Sequence, residues 1–194
     1  MPCPEKFRET LTKHRIPEPL IQEIHQGFEG IVSKSQKKVK ASYFKRAIDI
    51  LEEQIEPERL ISLLADNACC KGGAREKASK SFAKEHKGKS LEEKLALIPA
   101  VPHMGRPALN EDGSITIYAV HYSDGEKFQC ACPNYNGLKR DYPVSRSYCF
   151  CCAGHFRHHY EIMLEMKLRP AEIISSPLDS EGNNPCVIRL VPEE

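Results

Sequence analysis

The sequence predicts an α+β fold: a helical N-terminal half packed on an antiparallel sheet, with one long C-terminal helix. Three observations predict it. Apolar residues in the first half recur at the i, i+3, i+4, i+7 spacing of one helix face, most clearly at Phe44, Ala47, Ile48, Leu51 and Ile55. The second half holds short runs rich in Ile, Val, Thr and Tyr, two of them separated by the Asp124-Gly125 turn signal. A single helical stripe, Phe156, Tyr160, Met163 and Leu164, then appears among the strands. The change of character near residue 100 divides the chain into a helical region, 1–98, and an α+β cysteine-rich region, 99–194.

Phe7 to His14 and Pro19 to Phe28 read as two short helices, the first ended before Pro17. The clearest helix runs from about Ser35 to Gln54, and Pro57 stops it or opens the next, which buries Leu60, Ile61, Leu63 and Leu64. The Gly72-Gly73 pair is a break, and Ala74 to His86 is a basic, Ala-rich helix. Ser90-Leu91-Glu92-Glu93 is a capping box that opens a short helix ending at Pro99. Pro99 to Pro107 is an extended connection, and Asn110 to Gly113 a turn. Ser114 to Tyr122 reads as a strand that pairs, across Asp124-Gly125, with Lys127 to Cys132. After a polar loop over 134–147, Cys151 to Lys167 is a helix, and Ala171 to Ser176 and Cys186 to Val191 are two strands.

A chain of 194 residues with 40% hydrophobic side chains has material for a real core. Its 28 basic and 27 acidic side chains leave a net charge of +1, which argues against a nucleic-acid partner and against disorder. No apolar run approaches the length of a membrane span, and the N-terminal Met-Pro-Cys-Pro-Glu-Lys-Phe-Arg lacks the apolar core of a secretory signal. The expected location is therefore the cytoplasm, where thiols stay reduced. Nine cysteines, an odd number, then read as metal ligands, redox groups or buried small hydrophobes rather than a disulfide framework.

Five of those nine lie within 23 positions: Cys130-Ala-Cys132, sixteen residues, then Cys149-Phe-Cys151-Cys152. Two close pairs on separate elements can supply four thiolates to zinc or to an iron–sulfur cluster. Cys130, Cys132, Cys149 and Cys152 are the first-choice zinc ligands, although a C-x-C pair is one residue shorter than the usual C-x2-C. Cys151, His155, Cys69 and Cys70 are the substitutes; His155 shares a helix face with Cys152, and His159 lies four residues beyond His155. Cys149-x-x-Cys152 at a helix N-terminus also has the placement that lowers a thiol pKa. Cys186 sits in an apolar strand, where burial is the default. His121 and His103 are isolated, and no zinc-peptidase helix, nucleophile elbow, phosphate loop or dinucleotide fingerprint is present. Arg106, Arg146 and Arg157, with Lys139 and Arg140, surround the cluster in sequence and are candidate contacts for an anionic ligand.

The stretch from Cys149-Phe-Cys-Cys-Ala-Gly154 through Gly182 to Cys186-Val-Ile resembles the end of the 4-vinyl reductase domain, found in hydrocarbon-binding sensors of bacterial regulators and in related small-molecule-binding proteins. The likeness rests on Cys149 five residues before Gly154, which opens a helix, and on Gly182-x3-Cys186 leading the last strand. It covers about 40 residues closely and about 100–191 more loosely. Zinc-binding members of that family add a Glu and a Cys on the intervening strand, at the positions of Ser175 and Leu178. The resemblance thus implies an altered metal site that Cys130, Cys132, Cys151 or Cys152 must complete. The whole chain also resembles an uncharacterised cysteine-rich bacterial family with the same Asn-Ala-Cys-Cys, Cys-x-Cys-Pro and Cys-x-Cys-Cys-Ala-Gly-His motifs, which implies kinship without a function.

The expectation is a cytoplasmic, sensor-like small-molecule-binding domain with a cysteine-rich zinc site. Its partner is a small-molecule ligand, with a homodimer left open. The alternatives are a thiol-dependent hydrolase or redox enzyme using Cys151 or Cys152 with His155, and an iron–sulfur protein.

Overall fold

Prolines start three of the N-terminal helices, where a missing N–H forfeits no hydrogen bond. The computed structural model describes residues 3–119 and 122–193. Helices α1 (Pro4–Lys13), α2 (Glu18–His25) and α4 (Pro57–Asp66) carry proline in the first two positions, and α3 (Lys37–Gln54) lies between them. Helix α5 (Gly73–Glu85) follows, then α6 (Leu91–Leu97), whose capping box is complete: Glu93 N–H donates to Ser90 Oγ, and Ser90 N–H to the Glu93 carboxylate. The second half adds β1 (Arg106–Leu109), β2 (Ile115–Tyr118), β3 (Tyr122–Asp124), β4 (Lys127–Gln129), α7 (Phe150–Leu164), β5 (Leu168–Ser175) and β6 (Val187–Pro192). The fold is α+β, as the periodicities predict. Among the described residues no helix is long and apolar enough to cross a membrane.

The sheet departs from the expected pairing. Its four antiparallel strands run in the order β1-β2-β6-β5, while β3 and β4 form a separate two-stranded ribbon. The expected strand from Ser114 to Tyr122 therefore stops at Tyr118, with residues 120 and 121 outside the described residues. Ile115 and Ile117 need a buried partner, and Ile188 and Leu190 of β6 supply it at matching register. That distant pairing takes the first part of the expected strand, and the local hairpin keeps only Tyr122–Asp124 against Lys127–Gln129. β1 was unexpected because Arg106 to Leu109 is mostly exposed and contains Pro107, a residue tolerated at a sheet edge. The opposite edge, β5, also carries a proline, Pro170, where the ladder to β6 shifts register.

Helix α7 lies at the centre. It packs on β5 and β6 on one side and on α4 and α5 on the other, so most of its circumference is buried. The N-terminal helices thus reach the sheet mainly through α7. One core continues from Phe7 and Leu11 in α1 to Ile188 and Leu190 in β6. Gly154 permits the α4–α7 contact: a Cβ at this position would stand 2.0 Å from the carbonyl oxygen of Ala65. The two helices approach backbone to backbone, with no room for a methyl group.

At the end of α4, Asp66 joins three segments. Its carboxylate accepts from Arg157 of α7 at 3.1 Å, and it meets His14 at 3.1 Å and Lys13 at 3.3 Å. Burial pushes this carboxyl up, but the hydrogen bonds from Arg157, His14 and Lys13 outweigh it and hold the pKa down at about 2, against 3.8 ordinarily. A depressed carboxyl contributes stability that is present above the unfolded value and is lost as pH falls through the folded one. The window is therefore acidic, from 3.8 down to about 2.

Two predictions follow from this packing. Gly154→Ala should lose at least about 2 kcal/mol, read as a drop in melting temperature of roughly 4–8 °C in a thermal melt. An unchanged melting temperature would mean the helices do not meet as described. Asp66→Asn should lose on the order of 1–2 kcal/mol at neutral pH in urea unfolding, and the gap from the unaltered protein should close as pH is lowered towards 2. A gap independent of pH would remove the ionic account.

Candidate functional site

A 3-10 turn, Arg146–Cys149, runs directly into α7, so Cys149, Cys151 and Cys152 sit together at the start of the central helix. The other cysteine pair follows β4 in a loop, because that strand ends at Gln129 rather than at Cys132. The loop folds around its own sulfur: Cys132 N–H points to Cys130 Sγ at 3.4 Å, and the Cys132 carbonyl accepts from Tyr135 N–H at 2.9 Å and Asn136 N–H at 2.7 Å. Cys132 Sγ lies 3.1 Å from the Tyr148 hydroxyl, and Cys149 donates to Ser176 Oγ at 3.2 Å. Cys186 enters the same region just before β6, its carbonyl accepting from Ala119 N–H at 3.0 Å.

These five thiols feel one another. Burial is the main cause that pushes Cys130, Cys132, Cys149 and Cys152 up, and charge on neighbouring thiols adds to it. For Cys152 those neighbours are Cys132, Cys186, Cys130 and Cys149. Cys186 is raised to about 11, first by burial and then by Asp179. The structure therefore brings the four first-choice ligands together and adds Cys186, which the strand reading set aside as simply buried. The donor set, all sulfur, matches the chemistry of zinc. Its placement does not: among the described residues no three Cys, His, Asp or Glu side chains stand where they could hold one ion. The thiols are gathered rather than arrayed as ligands, and two of them, Cys132 and Cys149, are engaged with the hydroxyls of Tyr148 and Ser176.

Cys151 turns the other way. Its thiol donates to the Asn67 carbonyl at 3.7 Å, close to Cys69 in the loop between α4 and α5. The neighbouring Cys151 is the largest cause holding the Cys69 thiol down, and Cys69, then burial, push Cys151 up, so of the two Cys69 ionises first. Cys69 is half-buried and Cys70 exposed. His159 Nε2 donates to the Cys70 carbonyl at 3.0 Å while its Nδ1 faces Ser79 Oγ at 2.9 Å, so both ring nitrogens are occupied by protein groups. His155 also faces the backbone of Cys69 and Cys70, not Cys152. Burial, aided by His159 and Arg75, lowers it to about 3, which makes it a neutral imidazole and a weak base at pH 7. A thiolate–imidazolium pair requires the reverse, a lowered cysteine and a raised histidine. Cys151 and Cys152 rise while His155 falls. His121 lies outside the described residues.

The arginines separate. Arg157 is bound to Asp66, and Arg146 is bound to Asp179 at 2.6 Å and also donates towards the Ile173 and Ile174 carbonyls. Arg106 is exposed on the outer strand β1. The cation beside the thiol cluster is Arg140. It lines a cleft of about 680 Å³ together with Cys130, Tyr142, Leu178, Asp179 and Gly182. Gly182 closes one end: Phe128 N–H donates to its carbonyl at 2.8 Å, and a Cβ there would meet the Phe128 carbonyl oxygen at 2.9 Å. With φ at +84°, this position suits glycine for its backbone as well. In the cleft wall Arg140 Nε, Tyr142 Oη and Asp179 Oδ1 are buried without a hydrogen-bond partner. Sequence spacing gave no signal for this trio, since its members come from two loops brought together by the hairpin and β5.

Compared with family models, with curated proteins and with solved structures, the chain gives no match.

The burial pattern makes a direct chemical prediction. With a limiting amount of iodoacetamide at neutral pH, Cys69 and Cys70 should be alkylated ahead of Cys130, Cys132, Cys149, Cys152 and Cys186, which should label fully only after denaturation. Peptide mass spectrometry after timed quenching reads the order, and preferential labelling of Cys149 or Cys152 would contradict it.

Proposed function

We propose that the chain is a small-molecule-binding domain whose ligand seat is the cleft beside Cys130. The observation that carries this reading is the trio of unpartnered polar atoms, Arg140 Nε, Tyr142 Oη and Asp179 Oδ1, in the wall of a 680 Å³ cleft. That volume lies in the range of small-molecule sites, roughly 300–1,000 Å³. A buried polar atom left unpaired costs about 1–3 kcal/mol, so a guest that reaches these atoms as the wall opens gains what the free protein forgoes. Two donors and one acceptor suit a small polar molecule with a carboxylate for Arg140 and Tyr142 and a hydroxyl or ammonium group for Asp179. In this reading the thiol cluster is the packed floor that fixes the loop of Cys130 and Cys132 against α7.

Zinc at the cluster is the second reading, favoured by a donor set gathered from the loop after β4, the start of α7 and the approach to β6. It requires thiols now bonded to Tyr148 and Ser176 to rotate inward.

A thermal-shift panel of short carboxylic acids, hydroxy acids and amino acids tests the first reading. At least one member should raise the melting temperature, by an increment corresponding to about 2.7 kcal/mol at a hundredfold excess over Kd. Arg140→Gln should abolish that shift. No stabilising member, or an equal shift in Arg140→Gln, would sink the proposal. Elemental analysis of the purified protein with a native thiol count decides the second: near-stoichiometric zinc with about four protected thiols favours it, and metal-free protein removes it.

A further inference from the structure

We propose that the outer face of α5 and the segment after it form a docking surface for the phosphate backbone of a nucleic-acid duplex. Charge in this chain is segregated. Residues 71–89 carry seven Lys and Arg side chains against two carboxylates, Glu76 and Glu85. The near-neutral total of 28 basic and 27 acidic groups therefore combines one basic segment with an acidic remainder, and a net charge of +1 does not describe this face. The fold aligns the charges. Helix α5 rests on α7 and buries only Ser79 and Phe82. With about 3.6 residues per turn, Lys77, Lys80 and Lys84 fall on one stripe, on the side of the helix away from Ser79 and Phe82, and all three are exposed. At a rise of about 1.5 Å per residue the stripe is about 10 Å long. Lys87 and Lys89, also exposed, add to it from the segment that follows.

The fold leaves most of this charge unpaired. Lys80 meets Glu76 at 2.6 Å, but among the described residues Lys77, Lys84, Lys87 and Lys89 have no carboxylate within salt-bridge distance. Two acids that sense the lysines at the end of the helix are engaged elsewhere: Glu165 with Lys94 at 2.7 Å, and Glu93 with the Ser90 N–H at 2.8 Å. Like charges three or four positions apart destabilise a helix. The stripe therefore works against α5 in isolation, and a partner with closely spaced negative charge relieves it. A duplex presents one such charge per about 1.7 Å of its axis, so several phosphates lie within reach of the stripe at once. Lysine is a flexible point charge that contacts phosphate without reading a base. The only large apolar side chain of α5, Phe82, is buried, so the face offers neither a ring on which an unpaired base stacks nor an apolar wedge for lipid. Binding is accordingly independent of sequence and steeply dependent on salt. It is also independent of the cleft at Arg140, which none of these lysines lines.

The experiment is fluorescence anisotropy with the full chain and a labelled, mixed-sequence DNA duplex of about 20 base pairs, over a range of salt concentrations. The dissociation constant should be on the order of 10⁻⁶–10⁻⁴ M, and the logarithm of the binding constant should fall against the logarithm of salt concentration with a slope of about −3 to −4, as about four phosphates are neutralised. Lys77→Gln, Lys80→Gln and Lys84→Gln together should weaken binding at least about tenfold and make that slope shallower by about 2–3. The set Lys34→Gln, Lys38→Gln and Lys167→Gln removes the same charge from other exposed positions and should stay within about twofold of the unaltered protein. No binding of the duplex, equal weakening by both sets, or tighter binding to the single strand, to polyglutamate or to phosphatidylserine vesicles than to the duplex would overturn the proposal. Circular dichroism should show both sets folded, since every altered side chain is exposed. If either is not, the salt slope and the order of preference among the four probes decide.

Discussion

Everything around the cysteines depends on one steric condition: α4 and α7 touch through their backbones. A residue with any side chain at position 154 would meet the carbonyl of Ala65, and the helices would have to part. With them in contact, the loop after α4 reaches the first turn of α7, the rings of His155 and His159 face that loop, and Asp66 meets Arg157. A close approach of this kind gains dispersion contacts along two helices but removes all tolerance at the crossing, because packed interiors do not expand locally. The thiol pair, the buried Ser79–His159 contact and the ionic junction at Asp66 are separate interactions held in place by the same missing methyl group.

The thiol cluster illustrates how burial and mutual charge act in the same direction. Removing a thiol from water disfavours its ionised form, and a second thiol nearby disfavours it again. Cys130, Cys132, Cys149 and Cys152 experience both, so in the metal-free protein they behave as small hydrophobes with weak donors, as Cys149 does towards Ser176. Cys69 differs: the neighbouring Cys151 draws its pKa down despite its partial burial. Chemically identical side chains are thereby pushed in opposite directions by their surroundings.

The helices were legible in the sequence because their signals are local. Pro4, Pro19 and Pro57 mark starts, the Ser90–Glu93 box forms both of its hydrogen bonds, and the stripe from Phe156 to Leu164 faces the core. The sheet was less so. The Asp124-Gly125 turn does form a hairpin, but Ile115 and Ile117 find their partners, Leu190 and Ile188, far along the chain in β6, a choice no local pattern contains. The site divides along the same line. Cys130, Cys132, Cys149 and Cys152 are close in the chain, and their association could be read from spacing. Cys69 with Cys151, and Arg140 with Asp179, depend on tertiary packing. Arg146 and Arg157 looked like ligand contacts because they are near the cysteines in sequence, whereas their guanidinium groups are committed to Asp179 and Asp66.

The two edges of the sheet carry a further consequence. An antiparallel sheet that ends in free backbone donors and acceptors invites a neighbouring chain to add a strand. Here the first edge is only the four residues Arg106 to Leu109, one of them Pro107, and the other is interrupted at Pro170 by a shift of register. Each proline deletes a donor, and the shift breaks the even spacing that an incoming strand would have to match. Growth of the sheet by self-addition is thereby discouraged at both ends, and assembly of copies, where it occurs, is directed to faces made of side chains.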